Sequence, residues 1–266
     1  MLVSLLKYEF TKKWKSVRYL LLGYGVIELT LLLITKILLW KDSGRGLFIN
    51  NTSMNDIGPY PVFTMVFFLL IAGAMFIFPF LQGVYAYEKD LTGKQATLEL
   101  MIPVHASKKV TSKLISTVCG TIICGIISLF SLFMFFFVMS NFSKSIIDTL
   151  NNILREVLNN PGKTLYVILA AFFSYASLYL IFFFCIAVSK WVSHKNKIAV
   201  PISIGIFAVF IVINALLEMK IDSSFQQITF TVAGIKNNLA STVRDIVVFA
   251  LAFIGTSWVM EKKIEN

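Results

Sequence analysis

Charge is what this sequence has least of. Only 14% of its 266 residues are Asp, Glu, Lys or Arg, and 57% are hydrophobic. A soluble domain carries about 25% charge. A chain this apolar would leave a soluble fold without a polar coat, whereas lipid solvates apolar side chains directly. Cysteine is scarce too. Cys119, Cys124 and Cys185 form an odd set inside apolar stretches, which excludes a disulfide framework and leaves them as small packing residues. The two histidines, His105 and His194, lie outside the apolar runs. Neither belongs to an H-E-x-x-H helix, and no set of ligands converges at one depth as a metal site requires. No Ser-His or Ser-Lys constellation occurs in the apolar runs, so no catalytic residue and no metal ligand is assigned. There is no G-x-x-x-x-G-K-S/T phosphate loop, so any ATPase must be another chain. With only 6 Pro and 14 Gly, long helices fit better than a β-barrel, whose strands alternate apolar and polar residues.

What is present is a set of six apolar runs of spanning length, roughly 20 residues each. They are Val17 to Leu39, Pro61 to Tyr87, Leu114 to Met139, Thr164 to Ser189, Ile198 to Leu217 and Thr242 to Met260. Runs two to five contain no charge; the sixth has Arg244 and Asp245 near its start. The first run is too long for a cleaved signal peptide and no small-x-small site follows it. The expected fold is an all-α integral membrane protein, one transmembrane domain over residues 1–266. Fifteen Lys and Arg fall before or at the start of run one (Arg18), after runs two and four, and in the tail; eight fall on the opposite side, and Lys36 lies deeper within run one. The richer side is expected to be cytoplasmic, which places both termini there, in a cell membrane. The net charge of +10 is then explained by topology and anionic membrane lipid, with no nucleic-acid partner.

Several segments stand out from this frame. In residues 1–16, Leu2, Leu5, Leu6, Phe10 and Trp14 share one helical face, with Lys7, Lys12 and Lys15 away from it. That pattern predicts an interfacial helix lying flat in the headgroup region, or else a plain basic anchor. In residues 143–160, Ile146, Ile147, Leu150, Ile153, Leu154, Val157 and Leu158 make one apolar face. The period predicts an amphipathic helix, on the outer membrane surface or over an outer mouth, with Ser143 or Ser145 as its cap. Glu28 lies in the middle of run one. A carboxylate there costs about 2.5–3.5 kcal/mol on insertion scales. The 14 Leu, Ile and Val residues of that run offset it. Glu28 is a candidate for the translocation pathway; the competing readings are a structural hydrogen bond to a neighbouring helix, and a different placement of the run. Pro79 and Gly83 interrupt run two. Pro79 lacks a backbone donor and predicts a kink, which either lines a pathway or serves packing.

The longest segment on the basic side, residues 88–113, reads EKDLTGKQATLELMIPVHASKKVTSK. After Gly93, a helix-forming run from Lys94 to Met101 stops at Pro103. A short helix between two spans suits docking onto a soluble partner; an ordinary solvated loop is the alternative. Glu88, Gly93, Thr97, Leu98, Glu99, Leu100, Pro103, Val104, Lys108, Lys109 and Lys113 form a pattern that resembles the permeases of type-2 ABC exporters. One departure is the Gly-Thr pair, split here by Lys94, Gln95 and Ala96. Residues 1–16 look like that family's elbow helix, and Glu261-Lys262-Lys263 like its charged stop after the last span.

The resemblance implies a coupling helix between spans two and three, with Glu88, Gly93, Thr97, Leu98, Glu99, Leu100 and Pro103 contacting a separate ABC ATP-binding subunit. ATP and Mg would be bound there, with no cofactor in this chain. It also implies a homodimer or a heterodimer with a similar permease, and short re-entrant helices between Glu218 and Ser241. Charge-poor spans favour export of a lipophilic or amphipathic cargo such as a membrane-active peptide, a lipid or a drug. The alternatives are a stand-alone channel or immunity protein with no ATPase, and, further off, an intramembrane enzyme.

Overall fold

Long uninterrupted apolar sequence with few glycines and prolines favours helix, because a helix satisfies its own backbone donors and acceptors. The computed structural model of the chain describes residues 2–41, 59–92, 104–139, 144–193, 196–224, 229–232 and 235–264. It contains helices α1 (Leu2–Lys41), α2 (Pro59–Thr92), α3 (Ala106–Met139), α4 (Lys144–Asn159), α5 (Pro161–Val192), α6 (Asn196–Ser224) and α7 (Leu239–Val259). A final π-helical turn follows at Met260–Ile264. Six helices among the described residues are long and apolar enough to cross a bilayer: Val3–Ile37, Phe63–Leu91, Ala106–Val138, Pro161–Val192, Pro201–Ile221 and Leu239–Lys262. They coincide with the six expected runs. The expected amphipathic helix at 143–160 is α4.

Three expectations change. Residues 1–16 do not form a separate elbow helix, because α1 is unbroken for 40 residues; at 1.5 Å per residue that is about 60 Å, twice the hydrocarbon thickness of a bilayer. The expected loop at 88–113 is shorter than its polarity suggests, since α2 runs on through Glu88 to Thr92 and α3 starts at Ala106. Among the described residues, the region from Glu218 to Ser241 holds no re-entrant helix. After α6 ends, strands β1 (Thr229–Val232) and β2 (Ile235–Asn238) pair antiparallel, Thr229 opposite Asn238 and Val232 opposite Ile235. The β-branched Thr229, Thr231 and Val232 suit that conformation. The side chain of Asn238 then caps α7 by accepting from the Ala240 N–H at 3.0 Å, which satisfies one of the helix's orphan donors.

The chain divides into two compact units, one of residues 10–81 and 119–155, the other of residues 1–9, 82–118 and 156–266. In the first, Val17, Tyr24, Met75 and Cys124 form a buried cluster. Phe68 and Phe135 form another, their rings stacked with centroids 4.1 Å apart. Polar groups tie the helices together: the Tyr24 hydroxyl donates to Ser131 Oγ at 2.6 Å, and Ser128 donates to the Ala72 carbonyl at 3.1 Å. Small and hydroxylated residues at such contacts are the usual glue between helices in lipid. We expect Tyr24→Phe to cost only about 0.6 kcal/mol, and at most about 1.7 kcal/mol, the range for such bonds in membranes. A thermal double-mutant cycle with Ser131→Ala measures the coupling.

In the second unit α5 is the central helix, packed on α7 and α6. Tyr179, Leu180, Phe183, Cys185 and Ala187 of α5 are fully buried. Phe182 stacks on Phe207 of α6 and Phe173 meets Phe249 of α7 edge-on. The Tyr166 hydroxyl bonds Thr242 at 2.7 Å. α6 is the opposite case, because no residue of its most apolar stretch is buried. A helix this apolar that packs on one side only and leaves its residues exposed needs lipid or protein as solvent.

Candidate functional site

Three charged side chains from distant parts of the sequence meet in the second unit. Lys113 lies about two turns into α3, Asp90 in the last turn of α2 and Glu9 in α1. Lys113 Nζ donates to Glu9 Oε1 at 2.9 Å and also to Asp90 Oδ2. The three side chains are 7%, 4% and 5% exposed for Lys113, Glu9 and Asp90. Glu9 Oε2 is buried and has no hydrogen-bond partner among the described residues. Two carboxylates share one ammonium here, in a place where desolvation costs several kcal/mol per ion. Such a cluster holds its members in register but does not lower the free energy as an apolar replacement would.

The surroundings fix it. One turn along α2 from Asp90, the Tyr87 ring stacks on Phe183 with centroids 4.1 Å apart and its hydroxyl donates to Met260 Sδ at 3.2 Å. Thr117, one turn beyond Lys113, donates to the Lys113 and Leu114 carbonyls at 2.9 and 2.7 Å. Lys109, one turn before Lys113, is buried as well. The His105 carbonyl accepts from the Lys108 N–H at 3.0 Å and starts α3. His105 Nδ1 is 3.9 Å from Glu261 Oε1 at the surface. The two helix ends that flank residues 93–103 are therefore both anchored in one buried network.

Of the proposed coupling residues, only Glu88 is among the described residues. Glu88 sits half-buried in α2. Gly93, Thr97, Leu98, Glu99, Leu100 and Pro103 lie outside the described residues. Of the pathway candidates, Glu28 is half-buried one turn beyond Tyr24 and Pro79 is buried within an α2 that continues through it. An apolar cavity of about 490 Å³ in the first unit, beside Leu20, Tyr24 and Met75, is lined by neither. Among the described residues, no three His, Cys, Asp or Glu side chains are placed to hold a metal. The sequence reading noted Lys113 only for its place in a pattern and missed Asp90 and Glu9, because nothing local marks charges near helix ends as buried and paired. No family model, curated protein or solved structure matches the chain.

Proposed function

We propose that this chain is the membrane-embedded permease subunit of an ATP-driven ABC transporter, exporting a lipophilic or amphipathic cargo, with both termini in the cytoplasm of a multi-pass cell-membrane protein. The observation that carries the reading is the buried Glu9–Lys113–Asp90 cluster. It locks the helix ends on either side of residues 93–103 to each other and to α1. A soluble motor that pushes on residues 93–103 would then move α2 and α3 together rather than bend a slack loop. The six apolar helices supply the membrane part, and the sequence of residues 88–113 supplies the resemblance. In this reading residues 93–103 form the coupling element, the ATPase is a separate chain holding ATP and Mg, and the working unit pairs two permeases.

The test is co-purification from detergent-solubilised membranes. We expect a soluble ATPase to accompany the permease, and Glu99→Lys to reduce its recovery by about ten-fold or more, equivalent to about 1.4 kcal/mol. Membrane insertion of the variant should be unchanged. If no ATPase associates with the unmodified chain, the transporter reading fails and a stand-alone membrane protein takes its place.

A further inference from the structure

The second unit holds a cavity of about 260 Å³ between α5, α6 and α7. Its lining is ordered along each helix. On α7, Arg244 and Asp245 precede Val248; on α6, Glu218 and Asn214 lie toward one end, Ile211 and Phe207 toward the other. On α5, Ser174 and Ser177 precede Leu178 and Ile181. On all three helices the large apolar lining residues sit at one end of the stretch and the polar ones at the other, with only the small Ala215 among the polar residues of α6. From Glu218 to Phe207 the helical rise is about 16 Å, close to half of a bilayer's roughly 30 Å hydrocarbon core.

The polar end sets one guanidinium between two carboxylates, Asp245 and Glu218. Arg244 Nε and Nη2 both donate to Asp245 Oδ1, at 3.0 and 2.8 Å. Arg244 Nη1 is buried with no hydrogen-bond partner among the described residues; its closest carboxylate is Glu218 Oε2 at 3.6 Å. A buried charged donor left unpaired is costly, so Nη1 calls for an acceptor oxygen. Asp245 and Glu218 together exceed the single guanidinium by one negative charge, and the half-exposed Glu218, held to Nη1 only at 3.6 Å, is the carboxylate placed to attract a cation. Ionisable groups inside apolar helices normally mark a ligand or ion site. The apolar end is open at Ile211, which is 49% exposed. A volume of 260 Å³ falls below the roughly 300–1,000 Å³ of a site for a whole drug-sized molecule. It suits one headgroup with the start of its chains.

We propose that this cavity binds a zwitterionic phospholipid, with a phosphate oxygen on Arg244 Nη1, the ammonium on Glu218, and an acyl chain leaving past Ile211. The assignment rests on the membrane placement proposed above but needs no ATPase, so it stands or falls apart from the transport reading. Membrane fractionation tests the placement separately.

The experiment measures binding of chain-labelled phosphatidylethanolamine to the detergent-solubilised protein, with phosphatidylglycerol and soluble phosphoethanolamine as the other arms. Saturable binding of phosphatidylethanolamine is expected. Loss of one charge-assisted hydrogen bond in Arg244→Ala should weaken it by about ten-fold or more. Glu218→Gln, at a side chain 56% exposed and so without a folding penalty to confuse the result, should weaken phosphatidylethanolamine but spare phosphatidylglycerol. Equal binding of the two lipids, or binding unchanged by Glu218→Gln, overturns the proposal. So does saturable binding of phosphoethanolamine without the lipid.

Discussion

Lys113→Met is expected to destabilise the protein by about 3–5 kcal/mol, the range for removing one partner from a buried ion cluster. The methionine fills a similar volume, so the loss is electrostatic rather than a cavity. It leaves Glu9 and Asp90, 4% and 5% exposed at their side chains, without their shared cation. Asp90→Asn should cost less, because Lys113 keeps Glu9 at 2.9 Å. The triple neutral variant Glu9→Gln, Asp90→Asn, Lys113→Met should recover most of the loss, since apolar or neutral replacements of buried ion clusters are often neutral or stabilising. Thermal unfolding in detergent, followed by intrinsic fluorescence, ranks the three. A Lys113→Met shift within about 0.5 kcal/mol, the size of an ordinary surface change, would mean the cluster is solvated.

The triple variant also separates stability from coupling. A cluster that is dispensable for folding is retained for some other reason, and fixing register is the best-attested use of buried charge. Here the register in question is that of α2 and α3 on either side of residues 93–103. If the triple variant is stable yet its ATPase stimulation by cargo is lost, the cluster transmits movement. If both survive, apolar contacts such as those of Tyr87 with Phe183 and of Gly83 with Thr117 suffice to hold the helices.

How far the sequence carries can be read at individual residues. The six long helices follow from hydropathy summed over about 20 positions, a local property that needs no tertiary partner. α4 follows from its 3.6-residue period for the same reason. Helix ends do not follow, because hydropathy stops at Leu114 whereas backbone hydrogen bonding continues back through the polar Ser107–Lys113 stretch to Ala106. The strands at Thr229–Val232 and Ile235–Asn238 contain the β-branched Thr229, Thr231, Val232 and Ile235, a local propensity that the reading by resemblance, which implied helices there, did not use. The charge cluster had no local signal at all: Glu9 and Lys113 are 104 positions apart. A rule that counts Lys and Arg for topology treats Lys113 and Arg244 as solvated charges, yet both side chains are mostly buried. Pairing across the fold decides their role, and periodicity carries no information about it.

Gly83→Ala should lower stability by about 1–3 kcal/mol, the usual cost of overpacking, although alanine is the better helix former by about 1 kcal/mol. Gly83 lies in α2 against Thr117 of α3 and Tyr179 of α5. A Cβ there would overlap Thr117 Cγ2 and approach Thr117 Cβ and Tyr179 Cε1 at 3.2 Å. Neither neighbour gives way easily. Thr117 is held by its hydroxyl bonds to the Lys113 and Leu114 carbonyls, and the Tyr179 ring is fully buried. Sterics therefore outweigh helix propensity, and Gly83→Leu should be worse still. Thr117→Ser removes the offending methyl and keeps the hydroxyl, so the double variant Gly83→Ala, Thr117→Ser should unfold later than Gly83→Ala alone. Failure of that rescue would put the obstruction at Tyr179 instead. Either way the contact lies two turns from Asp90 on the same helix, so a displaced α2 should also weaken recovery of the ATPase. Gly83→Ala and Glu99→Lys would then reduce ATPase recovery by different routes: the first with a lowered unfolding temperature that Thr117→Ser repairs, the second with none.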